Sequence, residues 1–139
     1  MQDDLLDYLN NRIVPLHPLE QKGMAYENCV RKAGSERQAL RALRQQVISA
    51  YRLLLNKLKA IRPRTKEVQN VHALHLRAAA TYLSALSQME TAIARRSPRR
   101  MRAATRQARL ANKLFTAFGK RLDELAKAHN VVLQKAGSR

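Results

Sequence analysis

Apolar residues recur every three or four positions over long stretches of this chain, which is the spacing of one face of an α-helix. The last such stretch runs from Ser97 to about Val132, and its seam alternates steps of three and four. The same spacing runs from Leu40 to Ile61 and from Val68 to Met89. A shorter stretch, from Asp3 to Val14, carries aspartates in its first turns, where carboxylates favour the helix dipole. The pattern therefore predicts four helices and no strand.

Proline, serine and threonine mark where these helices begin and end. Pro15 and Pro18 interrupt the first helix, because each lacks an amide donor and disfavours the helical conformation before it. Ser35, Thr65 and Ser97 each stand at the N-cap position of a later helix. Connections of two to four residues make consecutive helices antiparallel neighbours. The predicted fold is all-α: an up-down-up-down four-helix bundle with a Pro-kinked first helix.

The composition fits one globular domain with an unusual charge. The 139 residues are 45% hydrophobic, so we expect a single helical-bundle domain over residues 1–139 rather than a disordered chain. Lys and Arg number 27 against 10 acids, which gives a net charge of +17. Residues 97–139 contribute +9 of that charge, whereas residues 1–34 carry −1. This excess indicates an anionic partner: nucleic acid, an anionic membrane surface or an acidic protein.

The basic residues concentrate around the turn that precedes the last helix. Their helical spacing forms a stripe on the side opposite the apolar seam. The macrodipole disfavours cations in the first turns of a helix, but the same turns offer amides and guanidinium groups to phosphate. In the predicted topology, the starts of the second and fourth helices share one end of the bundle. The candidate anion-binding residues are Arg95, Arg96, Arg99, Arg100, Arg102, Arg106, Arg109 and Lys113, together with Arg37, Arg41 and Arg44 of the second helix.

Other chemistries lack the residues that they need. There is no Trp, and most of the six aromatic residues fall on core seams, so nucleic acid would be bound through its phosphate backbone without sequence specificity. His72 and His75 lie three residues apart, but the carboxylates of a bundle metal site are missing. This favours a surface or core-edge histidine pair, with no metal or other cofactor. Cys29 has His17 in the same segment but no third catalytic group, so we predict no enzyme activity and no small-molecule substrate.

Two alternatives to anion docking stay open at this point. The apolar seams would also suit a structural or assembly protein that forms a homo-oligomer, with the charge incidental. The arginine stripe would equally suit a solvated basic face without a partner. No apolar run has the length of a membrane span, and the sequence leaves the compartment open.

Two short stretches stand out beside the helical pattern. The first comprises Tyr8-Leu9-Asn10, Val14-Pro15-Leu16 and Pro18-Leu19-Glu20-Gln21, and the second comprises Leu58-Lys59-Ala60-Ile61-Arg62-Pro63, Thr65-Lys66-Glu67-Val68 and His72. Together, over about residues 8–90, they are similar to small helical-bundle lipoproteins and secreted proteins of bacteria that have no assigned function. The resemblance implies a four-helix bundle exported to the cell envelope, whereas a cytoplasmic protein is expected without it. It transfers no catalytic residue, and the basic last segment departs from the acidic to neutral character of that family.

Overall fold

The computed structural model describes residues 2–13, 16 and 35–129. Every element of regular secondary structure in this part of the chain is helical. These elements form four helical stretches, two of which include a π-helical segment. In chain order these are α1 (Gln2–Asp7) with a π-helical continuation (Tyr8–Ile13), α2 (Glu36–Ala42) with a π-helical segment (Leu43–Val47) leading into α3 (Ile48–Lys59), α4 (Lys66–Ala94) and α5 (Pro98–Ala128). The predicted all-α class with four helical stretches is confirmed. The predicted kink at Pro15 and Pro18 lies outside the described residues.

Serine side chains start two of the helices as the sequence predicts. The hydroxyl of Ser35 accepts a hydrogen bond from the Gln38 amide, and the hydroxyl of Ser97 accepts one from the Arg100 amide, both at 3.2 Å. Three residues, 95–97, connect α4 to α5. The connection from α3 to α4 spans residues 60–65 and is longer than the predicted two to four residues, because the helix ends at Lys59, before Pro63 is reached.

The start of α4 is capped from another helix. Thr65 occupies the N-cap position, but its side chain makes no cap hydrogen bond within its own helix. Its hydroxyl donates instead to Asp4 Oδ2, and the Arg64 and Thr65 amides donate to Asp4 at 3.0 and 2.7 Å. Tyr8 stands four residues after Asp4, and its hydroxyl meets His72, which stands seven residues after Thr65 in α4. The first helix therefore runs parallel to α4.

The helix α4 runs antiparallel to the helices before and after it in the chain, and His129 at the end of α5 lies 3.4 Å from Glu67 at the start of α4. Arg44, near the start of the second stretch, forms an ion pair with Glu90 near the end of α4. At the opposite end, the ring of His72 contacts the carbonyl of Leu58 at 2.8 Å. The helices α4 and α5 form the most extensive packing of the described residues. This arrangement places α4 at the centre of the described structure.

The core lies where the predicted seams meet. In each helix the apolar residues spaced three and four apart turn inwards, and they are buried or half-buried. Those with less than a tenth of their surface exposed include Leu43, Val47, Leu54 and Leu58 of the second stretch, Val68, Val71, Ala78 and Ala85 of α4, and Ala104, Ala111, Leu122 and Ala126 of α5. The seams are thus occupied by contacts within one chain.

Candidate anion-binding surface

A tight turn between α4 and α5 presents the first arginines of the cluster. The Ser97 amide donates to the Ala92 carbonyl at 2.9 Å, and the Arg96 amide donates to the Ile93 carbonyl at 3.1 Å. These two bonds form a Schellman motif, whose left-handed position is usually a glycine. Arg96 fills that position with φ of 49°, where a residue with a Cβ costs about 1 kcal/mol. An arginine therefore stands where the backbone conformation opposes it.

The first turns of α5 point their basic side chains away from the core. Ala104 and Ala111 are fully buried, whereas Arg102, Arg106 and Arg109 on the other side of the helix are exposed. The first acidic residues of α5 come only near its C-terminal end. None of these three arginines forms an ion pair with the part of the chain that the structure describes. Their charge is therefore left to solvent or to a partner.

All eleven candidate residues are exposed, in two groups. The group on α5 and the preceding turn consists of Arg95, Arg96, Arg99, Arg100, Arg102, Arg106, Arg109 and Lys113, and the other group consists of Arg37, Arg41 and Arg44. The second group lines one side of an open cleft of about 500 Å³ at the start of the second stretch. Since Arg44 pairs with Glu90, and α5 begins directly after α4, both groups flank the C-terminal end of α4.

Polar side chains line a groove between α4 and α5, next to the arginines. This groove has a volume of about 390 Å³, and an adjoining cleft of about 530 Å³ lies towards the start of α5. Arg100 and Ala103 border both spaces, so the two lie next to each other. The groove is lined by Ser84, Ser87, Gln88, Thr91, Arg100 and Ala103, and the adjoining cleft by Ser97, Arg99, Arg100, Ala103 and Arg106.

The α4 side of this groove was missed by the sequence analysis. Its signal is present in the sequence, because Ser84, Ser87 and Thr91 are spaced three and four apart and so share one face of α4. An apolar seam with the same spacing runs along the opposite side of this helix. That seam predicts only which side is buried, and it assigns no role to the polar side.

A second group of titratable residues lies in the core, where the first helix meets α4. The Tyr8 hydroxyl donates to His72 Nδ1 at 2.8 Å, and His72 Nε2 donates to the Leu58 carbonyl at 2.8 Å. These partners assign His72 the neutral form with its proton on Nε2. Burial lowers the pKa of His72, an effect only partly offset by the bond to Leu58. Burial also raises the pKa of Tyr8, so its hydroxyl stays protonated as a donor.

His75 lies one turn further along α4 and is enclosed by aromatic rings. It stacks on Phe118 with 4.1 Å between ring centroids, and Phe115 lies 6.1 Å away in an edge-to-face arrangement. Its Nδ1 atom is buried, without a hydrogen-bond partner among the described residues. Burial, and then the neighbouring His72, lower the pKa of His75 to about 4. Both histidines are 3% exposed, so the predicted surface or core-edge position is wrong for the pair. The polar atoms of His72 are satisfied inside the core.

Neither a metal-binding cluster nor a helix able to span a membrane is found among the described residues. Over residues 2–13, 16 and 35–129, no three His, Cys, Asp or Glu side chains are grouped so that they could hold a metal ion. Cys29 and His17 lie outside this part of the chain. None of the helices described combines the length and the apolar content that crossing a membrane requires.

Comparison with known proteins identified no relative of this chain. No protein-family model, curated protein or solved structure was found to match the chain. The resemblance to small helical-bundle lipoproteins and secreted proteins therefore stays a prediction.

Proposed function

We propose that this protein is a non-enzymatic helical-bundle module that docks an anionic partner through an arginine face. We define the arginine face as Arg99, Arg102, Arg106, Arg109 and Lys113 of α5. The observation that carries the proposal is that these cations are exposed along the first half of α5, without an ion pair in the described part of the chain. Arg95, Arg96 and Arg100 border this face and extend it around the turn.

Three physical costs support the proposal, because an anion would offset each of them. Cations at a helix start oppose the macrodipole. Like charges spaced three and four apart on a helix repel one another, as Arg102, Arg106 and Arg109 do. The third cost is the left-handed conformation of Arg96, and backbone strain of this kind clusters at functional positions. A face retained against three unfavourable terms favours a partner over simple solvation.

The proposed arrangement of the helices extends the docking surface. We propose that they form the up-down-up-down bundle, supported by the antiparallel contacts of α4 with both of its neighbours and by the parallel first helix. In this bundle Arg37 and Arg41 stand at the same end as the arginine face. They would contact the outer part of a large anionic partner.

Assembly through the heptad seams is less well supported as a function. Most seam residues of α4 and three of α5, Ala104, Ala111 and Leu122, are buried against the rest of the same chain. The other described seam residues are half-buried, and Phe115, Phe118 and Leu125 among them pack against the same core. The large apolar side chains that are exposed in the described part, Leu6, Leu53 and Leu110, stand on three different helices. Isolated exposed apolar residues of this kind are ordinary on a soluble surface.

Charge reversal tests the proposal. The triple variant Arg102→Glu, Arg106→Glu and Arg109→Glu should lose binding to duplex DNA or to anionic vesicles, whichever the wild type binds in a salt titration. Binding should weaken steeply with salt, since each neutralised phosphate contributes about 0.9 to the log–log slope. Vesicle binding without DNA binding would favour the envelope location that the lipoprotein resemblance implies.

A matched control separates the arginine face from net charge. The variant Arg52→Glu, Lys57→Glu and Lys59→Glu changes the same number of exposed basic residues on α3. It should retain most of the binding if the arginine face docks the partner. Equal losses in the two variants, or no loss in either, would contradict the proposal.

A further inference from the structure

The groove between α4 and α5 places hydrogen-bond donors opposite cations. Ser84 and Ser87 stand on its α4 side, with Arg100 on its α5 side. Thr91 also lines the groove, but its hydroxyl donates to the Ser87 carbonyl at 3.3 Å. Gln88 Nε2 donates to Ser84 Oγ at 3.3 Å, so the proton of that hydroxyl is free to be donated elsewhere. The Ser87 hydroxyl makes no hydrogen bond to the residues described. Hydroxyl protons and guanidinium groups thus line the same groove.

Building on the proposed anion docking, we propose that this groove holds the phosphodiester backbone of a nucleic-acid duplex, with the arginine face on the neighbouring phosphates. Phosphate oxygens accept hydrogen bonds from Ser, Thr and Arg side chains, and such contacts position a protein on a duplex without reading its sequence. The donors on both walls match a ligand that offers acceptors at regular intervals. Because deoxyribose and ribose backbones share this chemistry, DNA and RNA duplexes are both included.

The length of the arginine face also fits a duplex. From Arg102 to Lys113 the helix rises about 16 Å, a distance over which double-stranded DNA presents roughly nine phosphates. Four exposed cations along this line, each three or four residues from the next, can therefore all contact phosphate at once.

Other anionic partners fit this surface less well. A helix that binds a membrane surface inserts an apolar face beside its basic one, but α5 turns its apolar seam into the core. Single-stranded nucleic acid is bound by stacking its bases on exposed aromatic rings. The aromatic residues in the described part are all buried or half-buried: Tyr8, Tyr51, Tyr82, Phe115 and Phe118.

Removal of the groove hydroxyls tests this assignment without changing any charge. The variant Ser84→Ala with Ser87→Ala should bind a short mixed-sequence DNA duplex, or an RNA duplex of the same sequence, about tenfold more weakly, since each lost hydrogen bond costs a small factor. The salt slope should stay unchanged because the number of phosphate-neutralising cations is unchanged. Poly-L-glutamate binding should also stay unchanged, since the arginine face is intact.

The control variant, Ser49→Ala with Thr116→Ala, removes exposed hydroxyls that bond to their own helix backbone, and it should bind like the wild type. Unchanged duplex affinity in the groove variant, an equal loss of poly-L-glutamate binding, or no duplex binding by the wild type would overturn the assignment. Binding of the wild type to phosphatidylserine vesicles but not to either duplex would also overturn it.

The two proposals can fail separately. If the groove assignment fails while reversal of the arginine face still abolishes binding to another polyanion, the proposed function survives. If that reversal changes nothing, both proposals fail.

Discussion

The buried His75 should make the protein less stable in mild acid. Burial lowers the pKa of this imidazole to about 4 in the folded chain, against about 6.5 for an unfolded histidine. When the pH lies between these two pKa values, the imidazole of the unfolded chain binds a proton and that of the folded chain does not. The contribution is therefore complete above about pH 6.5 and is lost progressively as the pH falls to about 4.

The size of this effect follows from the two pKa values. At about pH 4.5 the loss is about 2.5 kcal/mol in the free energy of unfolding, and the limit at lower pH is about 3 kcal/mol. Asp4 interferes little at this pH. Burial raises its pKa, but hydrogen bonds from Thr65 and Arg64 outweigh that effect, so its pKa lies below the usual 3.8 and its own contribution is lost only in stronger acid.

Urea denaturation followed by circular dichroism, at neutral pH and at about pH 4.5, measures this loss. The variant His75→Leu removes the titrating ring and the unbonded Nδ1 atom while keeping an apolar side chain against Phe118. At neutral pH its stability should equal or exceed that of the wild type. Its free energy of unfolding should then fall with pH by about 2.5 kcal/mol less than that of the wild type. Parallel losses in the two proteins would refute a buried, neutral His75.

Four further substitutions test the packing and the turn. Tyr8→Phe leaves a buried acceptor on its partner histidine without a donor and should cost about 1–3 kcal/mol, which urea denaturation would detect; a change within error would contradict the hydrogen bond. Asp4→Ala removes the acceptor of three hydrogen bonds at the start of α4 and should cost about 2–3 kcal/mol, with Asp3→Ala, on an exposed neighbouring position, as the control. Arg96→Gly should raise the stability by about 1 kcal/mol while weakening anion binding in the salt titration; a gain in both would argue against a functional role for this arginine. Gly119→Ala should raise thermal stability by up to about 1 kcal/mol, since a Cβ at this exposed helical position meets no atom within 4 Å among the described residues, and a loss would show that the site is closely packed.

Helical periodicity predicted the all-α class, the four helical stretches and many of the buried positions, because the seams depend only on spacing along each helix. Leu43, Val47, Leu54 and Leu58 are buried, as their steps of three and four require. The serine caps were equally predictable, since Ser35 contacts an amide three residues away. The π-helical segments were not foreseen: Leu43–Val47 interrupts the second stretch while the seam continues through it.

Contacts across long sequence distances were beyond such a prediction. His72 stands four residues after Val68, which places it beside the seam, but a polar ring is buried only where partners satisfy it. Those partners come from other helices, and Tyr8 is 64 residues away. The use of Thr65 as a donor to Asp4, instead of as a cap of its own helix, depends on the same juxtaposition.

The candidate surface was predicted in one half only. The side of α5 opposite its seam is exposed, as its spacing requires, so Arg102, Arg106 and Arg109 were identified from sequence. The hydroxyl wall of the groove is formed by a second helix, and a single helical pattern does not show which face of one helix meets another. Ser87 and Arg100 come together only once α4 and α5 are packed.

The parallel docking of the first helix on α4 has a consequence for the order of folding. The two polar ties described for it, Asp4 with Thr65 and Tyr8 with His72, join residues 61 and 64 positions apart, whereas three residues connect α4 to α5. Closing a long loop costs conformational entropy before its contacts form, so the α4–α5 hairpin assembles first and the first helix docks onto it late. Detachment of that helix then requires less free energy than opening of the α4–α5 hairpin, and amide hydrogens of residues 2–13 should exchange with solvent sooner than those of the hairpin.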